Sequence, residues 1–151
     1  MSQSKKVHIT PKVNENACVK NDNRWRVGHV QERNKVNLYE YDFNGTSLPD
    51  KILDITESLE IHPVPTVVQD ADEDDIVDDP NYRYKPSEVV WAYGQLAPRT
   101  VGKDSYDGKW VLAIYHGTDS GIGGYWVRAI TGNNISRERH LASGIQRYLG
   151  Y

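Results

Sequence analysis

The fold of this 151-residue chain is decided by two runs near its beginning, Trp25-Arg-Val-Gly-His-Val30 and Val36-Asn-Leu-Tyr-Glu-Tyr-Asp-Phe43. Every second residue of the first run is Trp, Val or His, which is the alternation of a strand with one buried face. The second run alternates in the same way and is closed by Asn44-Gly45, a typical turn pair. The two runs predict adjacent short β-strands.

Similar patterns recur along the chain. Runs rich in β-branched and aromatic residues predict further strands at 17–20, 88–93, 110–115 and 125–130. The apolar spacing at 51–61 permits either a helical turn or two short strands. At 136–149 the apolar positions 141, 145, 148 and 149 have helical spacing, so we expect a C-terminal helix with Ser136 as its N-cap and Gly150 as its stop.

Charge divides the chain into three stretches. The formal charge of −3 combines nine Lys/Arg and nine Asp/Glu in residues 1–69, seven acids and no base in 70–80, and nine Lys/Arg and five Asp/Glu in 81–151. A dense acidic run between two aromatic-rich segments is typical of a solvated linker. We therefore predict a mainly β protein with a flexible tail at 1–14, a small barrel at 15–65, an acidic linker at 66–83 and a second barrel at 84–151, packed in tandem and ending in the helix.

Composition excludes several classes of protein. The chain is too short for a large multi-domain enzyme. Its single cysteine, Cys18, excludes an intrachain disulfide and a cysteine-based metal site and favours a reducing compartment. No run approaches the ~18 apolar residues of a membrane span, and the N-terminus lacks the apolar segment of a signal peptide. We expect a soluble intracellular protein without membrane contact.

Catalytic motifs are weak in this sequence. The run His116-Gly-Thr-Asp-Ser-Gly121 contains the residue types of a hydrolase triad, but triad members are normally distant in sequence, so a glycine-rich hairpin loop is the better interpretation. Gly121-Ile-Gly-Gly124 lacks the spacing of a phosphate-binding loop. The five histidines are scattered without an i, i+4 pair. We therefore predict no enzyme activity, no metal site and no cofactor.

Aromatic placement is the most informative feature. Four Trp and ten Tyr stand against one Phe and one Met, and many of these rings fall at the ends of predicted strands. In the second barrel these are Tyr93, Trp110, Tyr125 and Trp126. In the first barrel Tyr41 and Phe43 share one strand face, with Trp25 on the neighbouring strand and Asp42 beside them. Rings gathered in this way can surround a methylated ammonium group, with an acid nearby.

Two segments carry a family resemblance. Asn37-Leu-Tyr-Glu-Tyr-Asp-Phe-Asn-Gly45 and Tyr84-Lys-Pro-Ser-Glu-Val-Val-Trp-Ala-Tyr93 resemble the tandem Tudor domains of the Royal family of chromatin readers, as found in the histone-reading subunit of SAGA-type acetyltransferase complexes. The resemblance extends over about residues 15–135 and implies two SH3-like barrels. It also implies that Tyr93, Trp110 and Tyr125 or Trp126 form an aromatic cage, and that Asp42 receives the amino terminus of a peptide.

These observations lead to three hypotheses of function. The first is a non-enzymatic nuclear reader that binds a methylated lysine in a histone tail, within a larger chromatin complex. The alternative is a nucleic-acid-binding protein that uses the basic, aromatic-rich C-terminal unit to stack on bases. The third is a scaffold or inhibitor whose acidic run mimics nucleic-acid phosphates.

Overall fold

The computed structural model describes residues 8–65, 69–70, 81–93, 109–119, 121, 123–137 and 139–150. These residues form two antiparallel sheets, and they contain no helix. Of the predicted tail, residues 8–14 lie against the first sheet, where the Ile9 amide donates to the Ile61 carbonyl over 2.8 Å. Most of the predicted acidic linker lies outside the described residues.

The first sheet contains five strands, in the order β4-β3-β2-β1-β5. β1 and β2 are joined by Asp22 and Asn23, which both have positive φ angles (52° and 62°). This is the conformation that two-residue hairpin turns require, and Asp and Asn tolerate it. The segment at 51–61 forms two short strands rather than a helical turn. The strands are β1 Asn16–Asn21, β2 Arg24–Glu32, β3 Lys35–Leu38, β4 Lys51–Asp54 and β5 Ile61–Pro63.

The second sheet repeats this connectivity. It contains seven strands, in the order β10-β9-β8-β7-β12, with β11 also pairing with β9 and β6 with the start of β8. The path β11-β9-β8-β7-β12 within it matches β4-β3-β2-β1-β5 of the first sheet. The long strand β8 carries a bulge between Tyr115 and Gly117. The strands are β6 Gln69–Asp70, β7 Val89–Tyr93, β8 Lys109–Thr118, β9 Tyr125–Thr131, β10 Asn134–Ile135, β11 His140–Ala142 and β12 Gly144–Arg147.

The prediction of a C-terminal helix is wrong, because residues 140–142 form strand β11 and residues 144–147 form strand β12. Leu141 lies opposite Trp126 of β9, and Ile145 lies opposite Ala92 of β7. The apolar spacing that suggests a helix arises because two short strands contribute to different parts of the core. In these strands the backbone hydrogen bonds are formed with β9 and β7, whereas in a helix they would be formed within the segment itself. Gly144 also lowers the helix propensity of this segment.

Alternation along the strands divides the apolar residues among three clusters. One cluster belongs to the first sheet and contains Val19, Val30 and Ile61; a second belongs to the second sheet and contains Val90, Val111 and Val127. A third cluster lies between the sheets, and its members come from both: Cys18, Trp25, Val27, Val64, Val89, Leu112, Ile114, Ile130 and Tyr148. The two sheets therefore pack face to face through this shared core.

Buried polar contacts also join the sheets. Arg24 of β2 forms an ion pair with Glu88, at 2.6 Å, and the Glu88 side chain is only 2% exposed. The Tyr82 hydroxyl donates to the same carboxylate, and Arg24 donates to the Tyr82 oxygen over 2.7 Å. A second arginine of β2, Arg26, donates to the Ser87 carbonyl over 2.9 Å. A carboxylate with this little exposure is stable only when it is paired, so the contact fixes the two sheets relative to each other.

Candidate binding sites

Trp25, a predicted ligand-binding ring, lies inside the shared core. It is 6% exposed, and its ring contacts His62 at 5.1 Å and Tyr148 at 5.7 Å between centroids. Gly150, with a φ of +93°, closes over the indole: a Cβ at this position would lie 2.4 Å from Trp25 Cζ2. The indole faces are therefore occupied by the protein itself.

The segment after β3 carries three further predicted residues, Tyr41, Asp42 and Phe43. The expected strand at 36–43 ends at Leu38, because the chain then turns to the second sheet, where the Tyr41 amide donates to Ser87 Oγ over 2.7 Å. Asp42 Oδ1 accepts hydrogen bonds from the amides of Asn44 and Thr46, at 2.9 and 2.8 Å. The Asp42 carboxylate thus shapes its own turn, with Phe43 at the tip.

Arginines of the second sheet lie on the rings where we expected a ligand cation. The Arg128 guanidinium is 4.6 Å from the Tyr41 ring centroid, and that of Arg139 is 5.4 Å from the Trp126 centroid. Both also bind the turn, since Arg128 Nη2 donates to the Gly45 carbonyl over 3.0 Å and Arg139 Nη1 to the Phe43 carbonyl over 2.7 Å. We call this contact between turn 41–46 and the two arginines the junction.

His116 lies next to Tyr41 of the junction. The sequence pattern does not predict it as a binding residue. It is fully buried at the bulge of β8, 5.2 Å from the Tyr41 ring. Among the described residues neither ring nitrogen has a hydrogen-bond partner. Burial lowers the pKa of His116 to about 4, and the positive charge of Arg128 acts in the same direction. The sequence places His116 in a glycine-rich run typical of a loop, so no local signal indicates its burial.

Tyr93 and Trp110 are brought together as the sequence predicts. They lie opposite each other on β7 and β8, and their rings are 5.0 Å apart with an interplanar angle of 37°. Tyr93 is half-buried, whereas Trp110 is 7% exposed, and its Nε1 has no hydrogen-bond partner among the described residues. Gly144 of β12 lies opposite Tyr93 of β7. A Cβ placed on Gly144 would have no atom within 4 Å, so the space beside this glycine is open.

Tyr125 and Trp126 do not join this pair. Tyr125 packs against the cluster of the second sheet, with its ring 6.4 Å from that of Tyr115. Residues two apart on a strand have the same orientation, so Trp110 points to the same face of the sheet as Leu112. The Tyr93–Trp110 pair therefore lies on the opposite face of the sheet from Tyr125. Trp126, next to Tyr125, points away from that cluster and contributes to the junction. Two sites of different character result: a Tyr93–Trp110 pair and an arginine-rich junction.

Other kinds of site receive no support among the described residues. They contain no group of three or more His, Cys, Asp or Glu side chains that could hold a metal ion. They also contain no helix that is long and apolar enough to cross a membrane. In the run 116–121, Asp119 Oδ1 accepts from the Gly121 amide over 2.9 Å and so closes the hairpin, whereas Ser120 lies outside the described residues.

Similarity to known proteins adds no further constraint on the two sites. Comparisons with family models, with curated proteins and with solved structures find no match to this chain.

Proposed function

We propose that this chain is a non-enzymatic reader of the tandem Tudor type, built from two SH3-like barrels. The strand order supports this proposal, because the path β4-β3-β2-β1-β5 of the first sheet recurs as β11-β9-β8-β7-β12 within the seven-stranded second sheet. In both paths the earliest strand pairs with the latest one, β1 with β5 and β7 with β12. The shared core further supports a tandem arrangement.

The Tyr93–Trp110 pair is the proposed site for the methylated lysine. Tyr93 is half-buried and would contact the methylammonium group, whereas Trp110 is 7% exposed and packs against the Tyr93 ring with its centroid 5.0 Å away. A contact between a cation and a ring contributes about 0.5–2 kcal/mol. The backbone of β6 runs beside this pair, since Gln69 lies opposite Trp110 and Asp70 opposite Lys109. In the sequence, Asp70 is the first of the seven acids in residues 70–80, which would give the site a charge opposite to that of a basic peptide. The contact between the Tyr93 and Trp110 rings is the observation that carries the proposal.

The expected partner is a basic peptide such as a histone tail, in the nucleus and within a larger chromatin complex. An acidic segment attracts such a peptide over a distance, and the rings then distinguish methylated from unmodified lysine. The junction is a poor place for the same group, because Arg128 and Arg139 already cover Tyr41 and Trp126 and would repel a second cation.

Calorimetric titration of the full chain with histone-tail peptides tests this proposal. We expect a trimethyl-lysine peptide to bind about tenfold more tightly than the unmodified peptide. Tyr93→Ala should abolish this preference, and Tyr93→Phe should retain it because the ring remains. Phe43→Ala, which removes an exposed ring at the junction, is the matched control. Equal affinity for both peptides, or an unchanged preference in Tyr93→Ala, would contradict the proposal.

The role of the acidic run is tested separately. Replacing the four acids at positions 72–75 by their amides should weaken the binding of methylated and unmodified peptides by the same factor, because the run attracts charge without reading methylation. A loss confined to the methylated peptide would assign the run to the cage instead.

A further inference from the structure

The junction holds two guanidinium groups, those of Arg128 and Arg139. The exposed Arg137 adjoins it, since the Arg137 carbonyl accepts a hydrogen bond from Arg128. Within the part of the chain that the structure describes, which does not include Glu138, none of these three arginines forms an ion pair with Asp or Glu. The Asp42 carboxylate belongs to the turn of the junction and accepts hydrogen bonds from two amides of that turn.

Acceptors for these guanidinium groups come mainly from the backbone. Arg128 donates to the carbonyls of Gly45, Ser136 and Arg137, yet its buried Nε has no partner among the described residues. Arg139 donates one hydrogen bond to the Phe43 carbonyl, whereas a guanidinium has five N–H donors. The acceptors that the described residues offer to these two guanidinium groups are thus neutral carbonyls, whereas a phosphate group would form charge-assisted hydrogen bonds with them.

An exposed ring stands beside these donors. Phe43 is 70% exposed, the largest exposure among the large hydrophobic residues that the structure describes. Its turn is nevertheless held by Asp42 from within and by both arginines from outside, and its ring lies over Gly117, where a Cβ would be 3.3 Å from Phe43 Cδ1. A ring held in one position loses little conformational entropy when a base stacks on it.

We propose that the junction binds a single strand of nucleic acid, with a base stacked on Phe43 and the flanking phosphates on Arg137 and Arg139. This site is separate from the Tyr93–Trp110 pair and takes a ligand of opposite charge. The alternation of a flat apolar ring with guanidinium groups matches the alternation of bases and phosphates along a strand. An acidic peptide offers the charges but not the flat stacking partner, so the exposed Phe43 favours nucleic acid.

Fluorescence anisotropy with labelled oligonucleotides tests the proposal on the full chain. Oligothymidine and oligouridine of about 12 nucleotides are the probes, and a duplex of the same length is the comparison. We expect both single strands to bind better than the duplex. Phe43→Ala should weaken single-strand binding about 5- to 100-fold, and Phe43→Trp should retain it. The matched control is Ile52→Ala, at a side chain that is 51% exposed on β4.

The charge contribution has its own variant. Arg137→Ala should reduce the slope of log affinity against log salt by about 0.7, as expected for one lost phosphate contact on a single strand. Arg33→Ala, at an exposed arginine of the β2–β3 turn, should leave the slope unchanged. Tight binding of polyglutamate without single-strand binding, or equal affinity for the duplex, would overturn the proposal. So would full single-strand affinity in Phe43→Ala.

Discussion

Protonation of His116 should make the free energy of unfolding depend on pH. The folded protein holds this imidazole neutral with a pKa of about 4, whereas the ordinary value is 6.5. Between these two values the unfolded chain binds a proton that the folded protein does not, so stability falls as the pH is lowered. From about pH 7.5 to about pH 5, this difference in pKa corresponds to a loss of roughly 2 kcal/mol.

Several groups around His116 determine the size of this effect. Burial is the largest cause, and the cations Arg128 and Arg139 add to it, while Asp42 opposes it. Asp42 acts through its backbone as well as its charge, although neither nitrogen of His116 has a hydrogen bond of ordinary geometry among the described residues. His62 has its pKa lowered by burial as well, so it contributes a loss of the same sign. A comparison with a His116 variant is therefore needed to isolate one residue.

Urea unfolding of the wild type and of His116→Phe at the two pH values supplies this comparison. Phe keeps an aromatic ring in the buried position and cannot be protonated. We expect the variant to lose about 2 kcal/mol less than the wild type on acidification, because the His62 contribution is common to both. His8→Gln, which removes an exposed imidazole, is the control. The reasoning is refuted if His116→Phe and the wild type lose the same free energy.

Three further predictions concern stability and reactivity. Gly150→Ala should lower the free energy of unfolding by at least about 1–2 kcal/mol in a urea titration, because its Cβ would meet Trp25 at a positive φ; an unchanged midpoint would show that this contact yields easily. Cys18 is fully buried, and burial raises the pKa of its thiol to about 12. A disulfide reagent should therefore modify Cys18 only at the rate of unfolding, and faster modification would contradict its burial. Glu88→Ala should lower the free energy of unfolding by about 3 kcal/mol in thermal or urea unfolding, because it leaves Arg24 without its buried partner. A decrease below about 1 kcal/mol would argue against that pairing.

Local patterns predicted most strands but not what covers them. The alternation in Trp25–Val30 correctly predicts β2, and the polar turn before it is confirmed by its positive φ angles. The same alternation predicts that Trp25 and Val27 lie on one face of β2. It contains no information about the second sheet, which buries that face. For this reason a ring expected at a ligand site lies in the core.

The remaining differences have the same origin. Leu141 and Ile145 have helical spacing, yet β9 and β7, distant in sequence, pair with them as strands. Tyr93 and Trp110 were brought together as expected, because strands predicted from composition lie side by side in an antiparallel sheet. Arg128 and Arg139 were overlooked: an arginine covering an aromatic ring from another strand leaves no signature in spacing.

The core shared by the two sheets has a consequence for how the chain folds. Trp25 and Val27 of the first sheet are covered by Leu112 and Tyr148 of the second, so separating the halves would expose this apolar surface to water. Neither half expressed alone should reach the stability of the intact chain. We expect one cooperative transition on heating, with equal calorimetric and van't Hoff enthalpies, although the strands form two separate sheets.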